Sequence, residues 1–508
     1  MNTHRMAEAV ERRLERFEQE DVARRIWAKD HTVWRPDPDE ITNRLGWLTV
    51  HEAMRGQIGD LTTFAEQCAS DGLRTAVLAG MGGSSLAPEV FKETFGVADG
   101  ALDLIVLDTT HPDQIRAVQD RIDLDTTLFV IASKSGGTTE TLSHFAYFWE
   151  KVPDGSHFVC ITDPDTSLQA LAEEHGFRRV FQNQPDIGGR YSALSHFGLV
   201  NAALVGVDLE GLLEATEEMA QACGPDVPAA KNPGMALGAA MGEAADEGRD
   251  KLTLVLPQAI RAFGYWIEQL IAESTGKDGK GILPVEGEDL GAPPVYGEDR
   301  LFVATGAVDG AALDTLVEAG NPEVRMPFDD PIELGGEMFR WEFATAVAGA
   351  VMGIQPFDQP NVQSAKDATK RILAEGTIPS VDRGNLEQLL ADAGPGRYLS
   401  IHAYLPRNEE NARRLHAVRM RLRDQLRIAT TVGFGPRFLH STGQLHKGGP
   451  NTGLFVQVVD EPQADLPIPG QDYTFGHLIA AQAAGDLMAL RDRDRQVARV
   501  SLAELESA

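Results

Sequence analysis

Short apolar runs alternate with segments of helical periodicity along most of this 508-residue chain. The run at 127–132, for example, is followed by a turn rich in serine and glycine and then by a helical pattern. Such a run is typical of a buried parallel strand, and strands separated by helices predict βαβ units. The predicted fold class is therefore α/β, with two doubly wound parallel-sheet domains, a helical N-terminal lead-in and an α/β C-terminal segment.

Breaks in this alternation divide the chain into four predicted regions. They are a lead-in at 1–46, a first α/β domain at 47–215, a second at 216–385 and a C-terminal segment at 386–508. The stretch 379–396, rich in Asp, Pro and Gly, is predicted to be a linker. The predicted strands are 75–79, 102–107, 127–132, 158–161, 179–181, 252–256, 301–304, 399–405 and 455–459. The main predicted helices are 265–276, 334–353, 408–428 and 474–490.

Composition and charge exclude several classes of function. The net charge is −30, whereas a nucleic-acid surface needs clustered Lys and Arg. No apolar run reaches membrane-spanning length, and residues 1–18 show a charged helical pattern without an apolar leader. The three cysteines form no CxxC pair, which favours a reducing compartment and argues against structural zinc. We therefore expect a cytoplasmic protein with neither a nucleic-acid nor a membrane partner.

The turn after the strand at 127–132 has the composition of a phosphate site. Residues 133–141, Ser-Lys-Ser-Gly-Gly-Thr-Thr-Glu-Thr, place five hydroxyls, two glycines and one lysine where a helix begins. The first N–H groups of a helix lack partners within it, and its dipole favours an anion there. With no carboxylate cage for a metal, the loop suits a phosphate monoester. A Ser/Thr-capped helix start is the alternative, although one hydroxyl would suffice for a cap.

A second glycine-rich turn, at 80–85, follows the strand at 75–79. Its pattern, G-M-G-G-S-S, lacks the third glycine of a dinucleotide-binding G-x-G-x-x-G, because Ser85 stands at that place. We interpret the turn as a second set of donors that face an anion. A tight turn that needs glycine for its conformation is the alternative.

Two further segments carry charged residues suited to proton transfer. Arg190 follows two glycines in D-I-G-G-R-Y-S, where a permanently charged guanidinium can stabilise an oxyanion. Gln269 and Glu273 lie four residues apart on one helix face, beside apolar residues that can bury the carboxylate. Burial raises the pKa of a carboxyl towards the working pH of a general base. Taken singly, a surface arginine in a turn and a solvated glutamate stay open as alternatives.

The last two segments carry an amide, a lysine and two histidines. In F-D-Q-P-N-V-Q-S-A-K, Gln359 can hydrogen-bond sugar hydroxyls and Lys366 can meet a sugar oxygen. In F-L-H-S-T-G-Q-L-H-K-G-G, His440 and His446 lie near glycines and are candidates for acid–base work. Metal ligation is the alternative for the histidines, but no Asp, Glu or Cys stands nearby at ligand spacing.

Taken together, these segments resemble the glucose-6-phosphate isomerase family, which is built from two sugar-isomerase (SIS) domains. The resemblance implies that Arg190 stabilises an enediolate and that Glu273, in Q-x-x-x-E-S-x-G-K with Gln269, moves a proton between C2 and C1. It also implies that Lys366 assists ring opening beside Gln359, and that no metal or redox cofactor is used. The residues that would hold the sugar phosphate are Gly83, Ser84, Ser133, Lys134, Ser135 and Thr138.

The position of the histidine departs from the family pattern. Family members usually carry it shortly after the base glutamate, but no histidine occurs between Glu273 and Lys366. The L-H-S-x-G-Q signature stands instead at 439–444, an order that resembles the isomerase half of transaldolase–isomerase fusions. The acid–base role is therefore assigned to His440, with His446 as the second candidate.

The resemblance also implies a homodimer in which the histidine can reach the neighbouring subunit's site. Mannose 6-phosphate stays open as a second substrate, although Gln359 favours glucose 6-phosphate alone. A non-catalytic sugar-phosphate sensor would need the two phosphate loops without the base, the arginine and the lysine. A glutamine-dependent aminosugar synthase would use an N-terminal cysteine nucleophile, and position 1 is Met.

Overall fold

The computed structural model describes residues 3–508, so the first two residues of the predicted lead-in lie outside it. Thirteen strands in the described range form three sheets, which define a first, a second and a third α/β unit. The strands are β1 (Thr75–Ala79), β2 (Asp103–Leu107), β3 (Thr127–Ala132), β4 (Phe158–Thr162), β5 (Arg179–Gln182), β6 (Lys251–Val255), β7 (Leu283–Val285), β8 (Arg300–Thr305), β9 (Glu323–Met326), β10 (Tyr398–Tyr404), β11 (Ala429–Phe434), β12 (Gly453–Val459) and β13 (Gln496–Val500).

All three sheets are parallel and share one strand pattern. They run β2-β1-β3-β4-β5, β7-β6-β8-β9 and β11-β10-β12-β13. In each sheet the second strand lies on one side of the first strand, and the third strand lies on the other. This reversal opens a crevice outside the carboxyl ends of the first and third strands, where open α/β sheets bind ligands. The predicted α/β fold class is confirmed, and the C-terminal segment is itself a four-stranded parallel sheet.

Helices connect the strands of each sheet. Between residues 3 and 508 none of them is both long and apolar enough to cross a membrane. The helices are α1 (Thr3–Gln19), α2 (Val22–Trp27), α3 (Val50–Arg55), α4 (Ile58–Ser70), α5 (Leu86–Phe95), α6 (Pro112–Arg121), α7 (Thr139–Lys151), α8 (Ser167–Glu174), α9 (His196–Val205), α10 (Leu209–Ala222), α11 (Pro233–Asp246), α12 (Phe263–Thr275), α13 (Gly310–Glu318), α14 (Leu334–Met352), α15 (Gln363–Glu375), α16 (Leu386–Ala391), α17 (Glu409–Leu426), α18 (Gly443–Gly448), α19 (Phe475–Arg491) and α20 (Leu502–Ser507).

Helices cover both faces of the first sheet. Successive side chains of a strand point to opposite faces. Ala76 and Leu78 of β1 accordingly pack into one apolar core, and Val77 packs into another that contains Phe148 of α7. A sheet buried on both faces leaves only the strand ends for ligands, which places any site of the first unit at the loops.

The long helix α14 is buried along almost its whole length and packs against α10 and α11. Small residues allow close contact, since a Cβ at Gly238 of α11 would lie 2.5 Å from the carbonyl oxygen of Ala344. The helix ends at Met352, before the turn that carries Gln359. A rigid, packed helix therefore sets the position of that turn.

The bounds of the predicted strands agree with the structure to within one or two residues. The sequence analysis missed four strands, which are β7, β9, β11 and β13. β7 has only three residues and contains Pro284, and β9 and β13 alternate polar with apolar residues at sheet edges, so none of these three shows the long apolar run of a buried central strand. β11 contains two threonines and a glycine. The predicted linker at 379–396 contains the short helix α16. The boundaries between the units stay predictions.

Candidate active site

The two predicted phosphate loops lie side by side at the crevice of the first sheet. The loop at 80–85 follows β1 and the loop at 133–138 follows β3, and Ala79 is paired in register with Ile131 across these neighbouring strands. The loops lead into α5 and α7, so two helix N-termini lie at the same crevice. Unpartnered N–H groups at both helix starts suit an anion.

The hydroxyls of the second loop do not cap the helix. Thr138 occupies the N-cap position of α7, but its side chain makes no capping hydrogen bond. Its Oγ1 lies 2.8 Å from the Oγ of Ser133, and Ser135 is exposed. This arrangement favours a phosphate site over a simple helix cap, because the hydroxyls are close together and uncommitted to the helix.

Glycines let the first loop touch two other parts of the site. Gly82 has a φ of 55°, and a Cβ there would lie 2.6 Å from the carbonyl oxygen of His440. A Cβ at Gly83 would lie 1.9 Å from the carbonyl oxygen of Gly189, which precedes Arg190. Any side chain at these positions would push the three segments apart, so glycine is required for them to meet.

Glu273 is buried between Gln269 and Arg190. Its Oε1 lies 3.4 Å from Nη1 of Arg190, and its Oε2 accepts a hydrogen bond from Nε2 of Gln269 at 3.0 Å. The same amide nitrogen donates to the carbonyl oxygen of His440 at 2.8 Å. The predicted base, the predicted arginine and the predicted histidine segment therefore meet in one pocket, together with Gln269.

Four further acceptors hold Arg190, which is 2% exposed. Its Nε donates to Oγ of Ser274 at 2.7 Å, and its Nη1 donates to Oε1 of Gln359 at 3.3 Å. Its Nη2 donates to the carbonyl oxygens of Pro356 and Asp358, at 2.7 and 3.0 Å. The guanidinium is thus immobilised beside the base and can offer a fixed positive charge to an oxyanion.

His440 enters the site from the third α/β unit. It ends the 3-10 helix Arg437–His440, and its Nε2 donates to Oε1 of Glu140 at 2.9 Å. Nε2 of Gln482 donates to the same oxygen at 2.8 Å. Burial alone would raise the pKa of Glu140, but His440 and Lys366 lower that pKa to about 2. Among the hydrogen bonds of the described residues, the ring of His440 is held through Nε2.

The pairing with Glu140 ties His440 to other elements of the same chain. Glu140 stands within the second predicted phosphate loop, and Gln269, which binds the carbonyl of His440, stands one turn before Glu273. His440 therefore contacts the loop and the helix that carry the other candidate residues of this chain. Its reach into the site of a neighbouring subunit stays a prediction.

Known sequences place the chain in a family. Residues 46–286 match the family model for phosphoglucose isomerase. The probable glucose-6-phosphate isomerase of Halobacterium salinarum is 30% identical over 348 residues, covering 59% of this chain and 80% of the relative. The glucose-6-phosphate isomerase of a Synechococcus strain is 33% identical over 387 residues, covering 64% and 72%. The chain belongs to the phosphoglucose isomerase family.

The fold agrees with membership of the phosphoglucose isomerase family. The crystal structure of a glucose-6-phosphate isomerase from Chlamydia trachomatis is 18% identical, with a TM-score of 0.55 over 70% of this chain and 78% of that chain. The region that matches the family model contains both predicted phosphate loops, Arg190 and Glu273, and it ends before His440. In this family member the histidine thus lies outside the matched region.

The two predicted lysines lie at the margins of the site. Lys134 forms an ion pair with Asp163, and its Nζ also donates to the carbonyl oxygen of Pro185 at 3.2 Å. Its charge is therefore partly neutralised before any ligand arrives. Lys366 is exposed on α15, yet it lies close enough to Glu140 to lower the pKa of that carboxyl. The binding roles of both lysines stay predictions.

His446, the second candidate histidine, does not lie in the site. Its ring is 4.6 Å from that of His402 and 5.2 Å from that of Phe455. Burial, followed by the charges of His402 and Lys447, lowers its pKa well below the usual value. Neither ring nitrogen of His446 has a hydrogen-bond partner among the residues that the structure describes. Of the two candidate histidines, His440 is the one linked through Gln269 to the predicted base.

Glu140 is the residue that the sequence analysis does not single out. It stands within the hydroxyl-rich loop, where a carboxylate opposes the anion that the loop is predicted to bind. This conflict is the sequence signal that could have identified Glu140, because a carboxylate within an anion site needs a cationic partner. The partner, His440, stands 300 residues later in the chain, beyond the reach of any local pattern.

Lys277 supports the turn that holds Arg190. Its Nζ donates to the carbonyl oxygen of Asp358 at 2.7 Å and to Oδ1 of the same residue at 2.5 Å. Arg190 donates to that carbonyl as well, so one main-chain oxygen joins the two cations. Burial, and then the charge of Arg190, lower the pKa of Lys277 to about 8.

We expect this lowered pKa to appear in the pH dependence of stability. The unfolded chain keeps the ordinary lysine pKa of 10.5, so between pH 8 and 10.5 it binds a proton that the folded chain has released. The contribution of Lys277 to stability therefore becomes more favourable as the pH rises through 8, by at most about 1.4 kcal/mol per pH unit. The melting temperature of the wild type should rise relative to that of Lys277→Met between about pH 7.5 and about pH 9.5. A constant difference would contradict the prediction.

Proposed function

We propose that this chain interconverts glucose 6-phosphate and fructose 6-phosphate as an aldose–ketose isomerase. The observation that carries the proposal is that three groups meet beside the two hydroxyl-lined loops. They are a buried carboxylate (Glu273), an immobilised guanidinium (Arg190) and a histidine–carboxylate pair (His440 and Glu140). The relatives named glucose-6-phosphate isomerase support the same substrate pair.

Binding and ring opening come first in the proposed reaction. Gln359 binds a sugar hydroxyl, and Glu140 orients His440 through Nε2. His440 then moves a proton from the anomeric hydroxyl to the ring oxygen, with Lys366 stabilising the charge that develops there. The donors proposed to hold the phosphate are Gly83, Ser84, Ser133, Lys134, Ser135 and Thr138.

Proton transfer between carbons follows. Glu273 removes the C2 proton, and the electron pair forms a C1–C2 double bond with negative charge on O1. Arg190 stabilises this cis-enediolate. Glu273 returns the proton to C1 while the O2 proton passes to O1, which yields the ketose. A placed base contributes about 10²–10⁴-fold, and one oxyanion donor about 10²–10³-fold.

A coupled assay tests the proposed function. Fructose 6-phosphate is supplied, and glucose 6-phosphate is detected with an NADP-linked dehydrogenase. We expect saturable product formation that depends on the protein. Binding of fructose 6-phosphate without product would overturn the isomerase in favour of a sugar-phosphate sensor. A parallel assay from mannose 6-phosphate tests the specificity, and we expect no turnover there.

Removing one hydroxyl from the second loop should weaken phosphate binding. Thr138→Val keeps the side-chain volume and removes Oγ1, which makes no helix-capping bond. The variant loses the hydrogen bond to Oγ of Ser133 at 2.8 Å, but the helix start should be unaffected. A hydrogen bond to a charged group is worth about 1.5–3 kcal/mol, so KM should rise about tenfold or more while kcat stays within about threefold. Competition by inorganic phosphate should weaken in parallel. An unchanged KM would contradict the role of this loop.

We further propose that the protein is a cytoplasmic homodimer. The family resemblance supports the dimer, and three buried cysteines without disulfides suit a reducing compartment. The proposed reaction moves protons within one sugar molecule and so calls for no redox cofactor. Light scattering of the purified chain gives the mass that tests the dimer, and a monomer mass would refute it.

A further inference from the structure

A buried arginine just before His440 ties the histidine segment to the first α/β unit. Arg437 begins the helical turn that ends at His440, and its side chain is 10% exposed. Its Nη1 lies 2.6 Å from Oδ2 of Asp108, and its Nη2 lies 2.5 Å from Oε2 of Glu89. Both carboxylates belong to the first unit, so one guanidinium bridges the first and third units.

The two carboxylates lead to the first phosphate loop. Asp108 directly follows β2, and its Oδ2 also accepts a hydrogen bond from Oγ of Ser85 at 3.3 Å. Glu89 stands in the first turn of α5, the helix that begins after the same loop. Arg437 therefore holds two elements on either side of this loop at a set distance from the turn that ends in His440.

A second arginine and an aromatic ring complete the network. Nη2 of Arg407 donates to Oε1 of Glu89 at 2.6 Å. The guanidinium carbons of Arg407 and Arg437 lie 5.6 and 5.4 Å from the ring centre of Tyr265, one turn before Gln269 on α12. Burial alone would raise the pKa of Glu89, but the two arginines lower it to about 2, so the carboxylate stays ionised. The network thus touches the elements that carry the phosphate loop, the base and the histidine.

We propose that Arg437 is a positioning residue for ring opening, which it promotes by holding His440 in place against the bound sugar phosphate. The inference rests on the proposed isomerase function. Its ion pairs with Asp108 and Glu89 assign Arg437 a role through the histidine rather than through direct contact with the substrate. A displacement of about 1 Å can cost about 10²-fold in rate, so a residue outside the pocket can control turnover.

Arg437→Gln removes the bridging charge and is the primary test. The kcat for fructose 6-phosphate should fall about ten- to hundredfold, while KM stays within about threefold because Arg437 pairs with Asp108 and Glu89 and not with the residues proposed to bind the phosphate. Arg437→Lys keeps a cation between Asp108 and Glu89 and should recover part of the lost kcat.

A double-mutant cycle separates positioning from a purely structural role. In a His440→Gln background, Arg437→Gln should change kcat by less than about twofold, because no histidine remains to be misplaced. Losses that multiply in the double variant would overturn the proposal. If Arg437→Gln does not fold, the near-isosteric Asp108→Asn replaces it in the same cycle, with the same two outcomes.

Arg414→Gln is the matched control. Arg414 lies on α17 of the third unit and forms a two-point ion pair with Glu506 on the protein surface, at 2.7 and 2.8 Å. Its loss should leave kcat at the wild-type value. An inactive wild type would refute the proposed function itself. An active wild type whose kcat is unchanged by Arg437→Gln, or by Asp108→Asn, would refute only the positioning role.

Discussion

Replacing Glu273 by glutamine should reduce kcat for fructose 6-phosphate by about 10³- to 10⁴-fold. Glutamine keeps the size of the side chain and can still accept a hydrogen bond from Gln269, which binds the carboxylate at 3.0 Å. It cannot take a proton from carbon. The variant therefore removes the proton transfer and leaves the surrounding packing in place.

Substrate binding should survive this change. The phosphate loops follow β1 and β3, whereas Glu273 stands on α12 and contacts Gln269 and Arg190. Calorimetric titration with fructose 6-phosphate should therefore give a Kd within about threefold of the KM of the wild type. Loss of binding together with turnover would indicate a collapsed pocket and would contradict the role assigned to the carboxylate.

The same helix offers a matched control, Glu268→Gln. Glu268 forms no hydrogen bond or ion pair with any residue in the described range, and it lies one residue before Gln269. Burial, followed by the charge of Glu286, raises the pKa of Glu268 to about 8, so this carboxyl is mostly protonated at pH 7 and glutamine closely resembles it. Glu268→Gln should keep the wild-type kcat. Equal turnover in Glu268→Gln and Glu273→Gln would reject Glu273 as the base.

Replacing His440 by glutamine should reduce turnover of the cyclic hexose phosphates by about 10²- to 10³-fold. The amide of glutamine can still donate to Glu140, which keeps the hydroxyl-rich loop and the 3-10 helix together. It cannot gain and lose a proton near neutral pH, as an imidazole does. The loss should therefore arise in ring opening and not in the transfer between C2 and C1.

An aldose phosphate that cannot form a ring separates these two steps. In a four-carbon aldose 4-phosphate the C4 oxygen carries the phosphate, so no hydroxyl remains that could close a five- or six-membered ring. Nuclear magnetic resonance should show similar rates of solvent-deuterium incorporation at C2 for the wild type and His440→Gln, and almost none for Glu273→Gln. His416→Gln, which alters a histidine paired with Asp289 on the surface at 2.7 Å, is the control. A similar loss on both kinds of substrate would contradict the ring-opening role.

Local sequence patterns predicted most of the strands and the two glycine- and serine-rich loops of this chain. Apolar runs predicted β1, β3 and β4 because a strand buried on both faces needs apolar residues along most of its length. Glycine and serine after β1 and β3 predicted the loops because parallel strands bring their carboxyl ends to one edge of the sheet. The four strands that escaped the analysis are short, at an edge or partly polar, so pairing with a neighbour rather than composition makes them strands.

The motif at 269–277 also combines features that a local pattern predicts with features that depend on packing. A spacing of four placed Gln269 and Glu273 on one helix face, and the resemblance assigned their chemistry. The contact of Gln269 with the carbonyl of His440 depends on how α12 packs against the third unit, which helical periodicity does not encode. The ion pair of Lys134 with Asp163 is equally a product of packing, since the lysine looks like a free phosphate ligand in the sequence.

Residue order alone predicted the α/β class, which the structure confirms, and it predicted the two loops and the candidate base and arginine, since each of these depends on neighbours within about a dozen positions. The folded chain placed His440, and not His446, against Gln269 on the helix of Glu273, and it paired His440 with Glu140 and Arg437 with Asp108 and Glu89. The contacts of Glu140 and Asp108 join side chains roughly 300 residues apart in sequence, so they depend on the packing of the third unit against the first. A local sequence pattern does not encode this packing, because the residues in contact are distant along the chain.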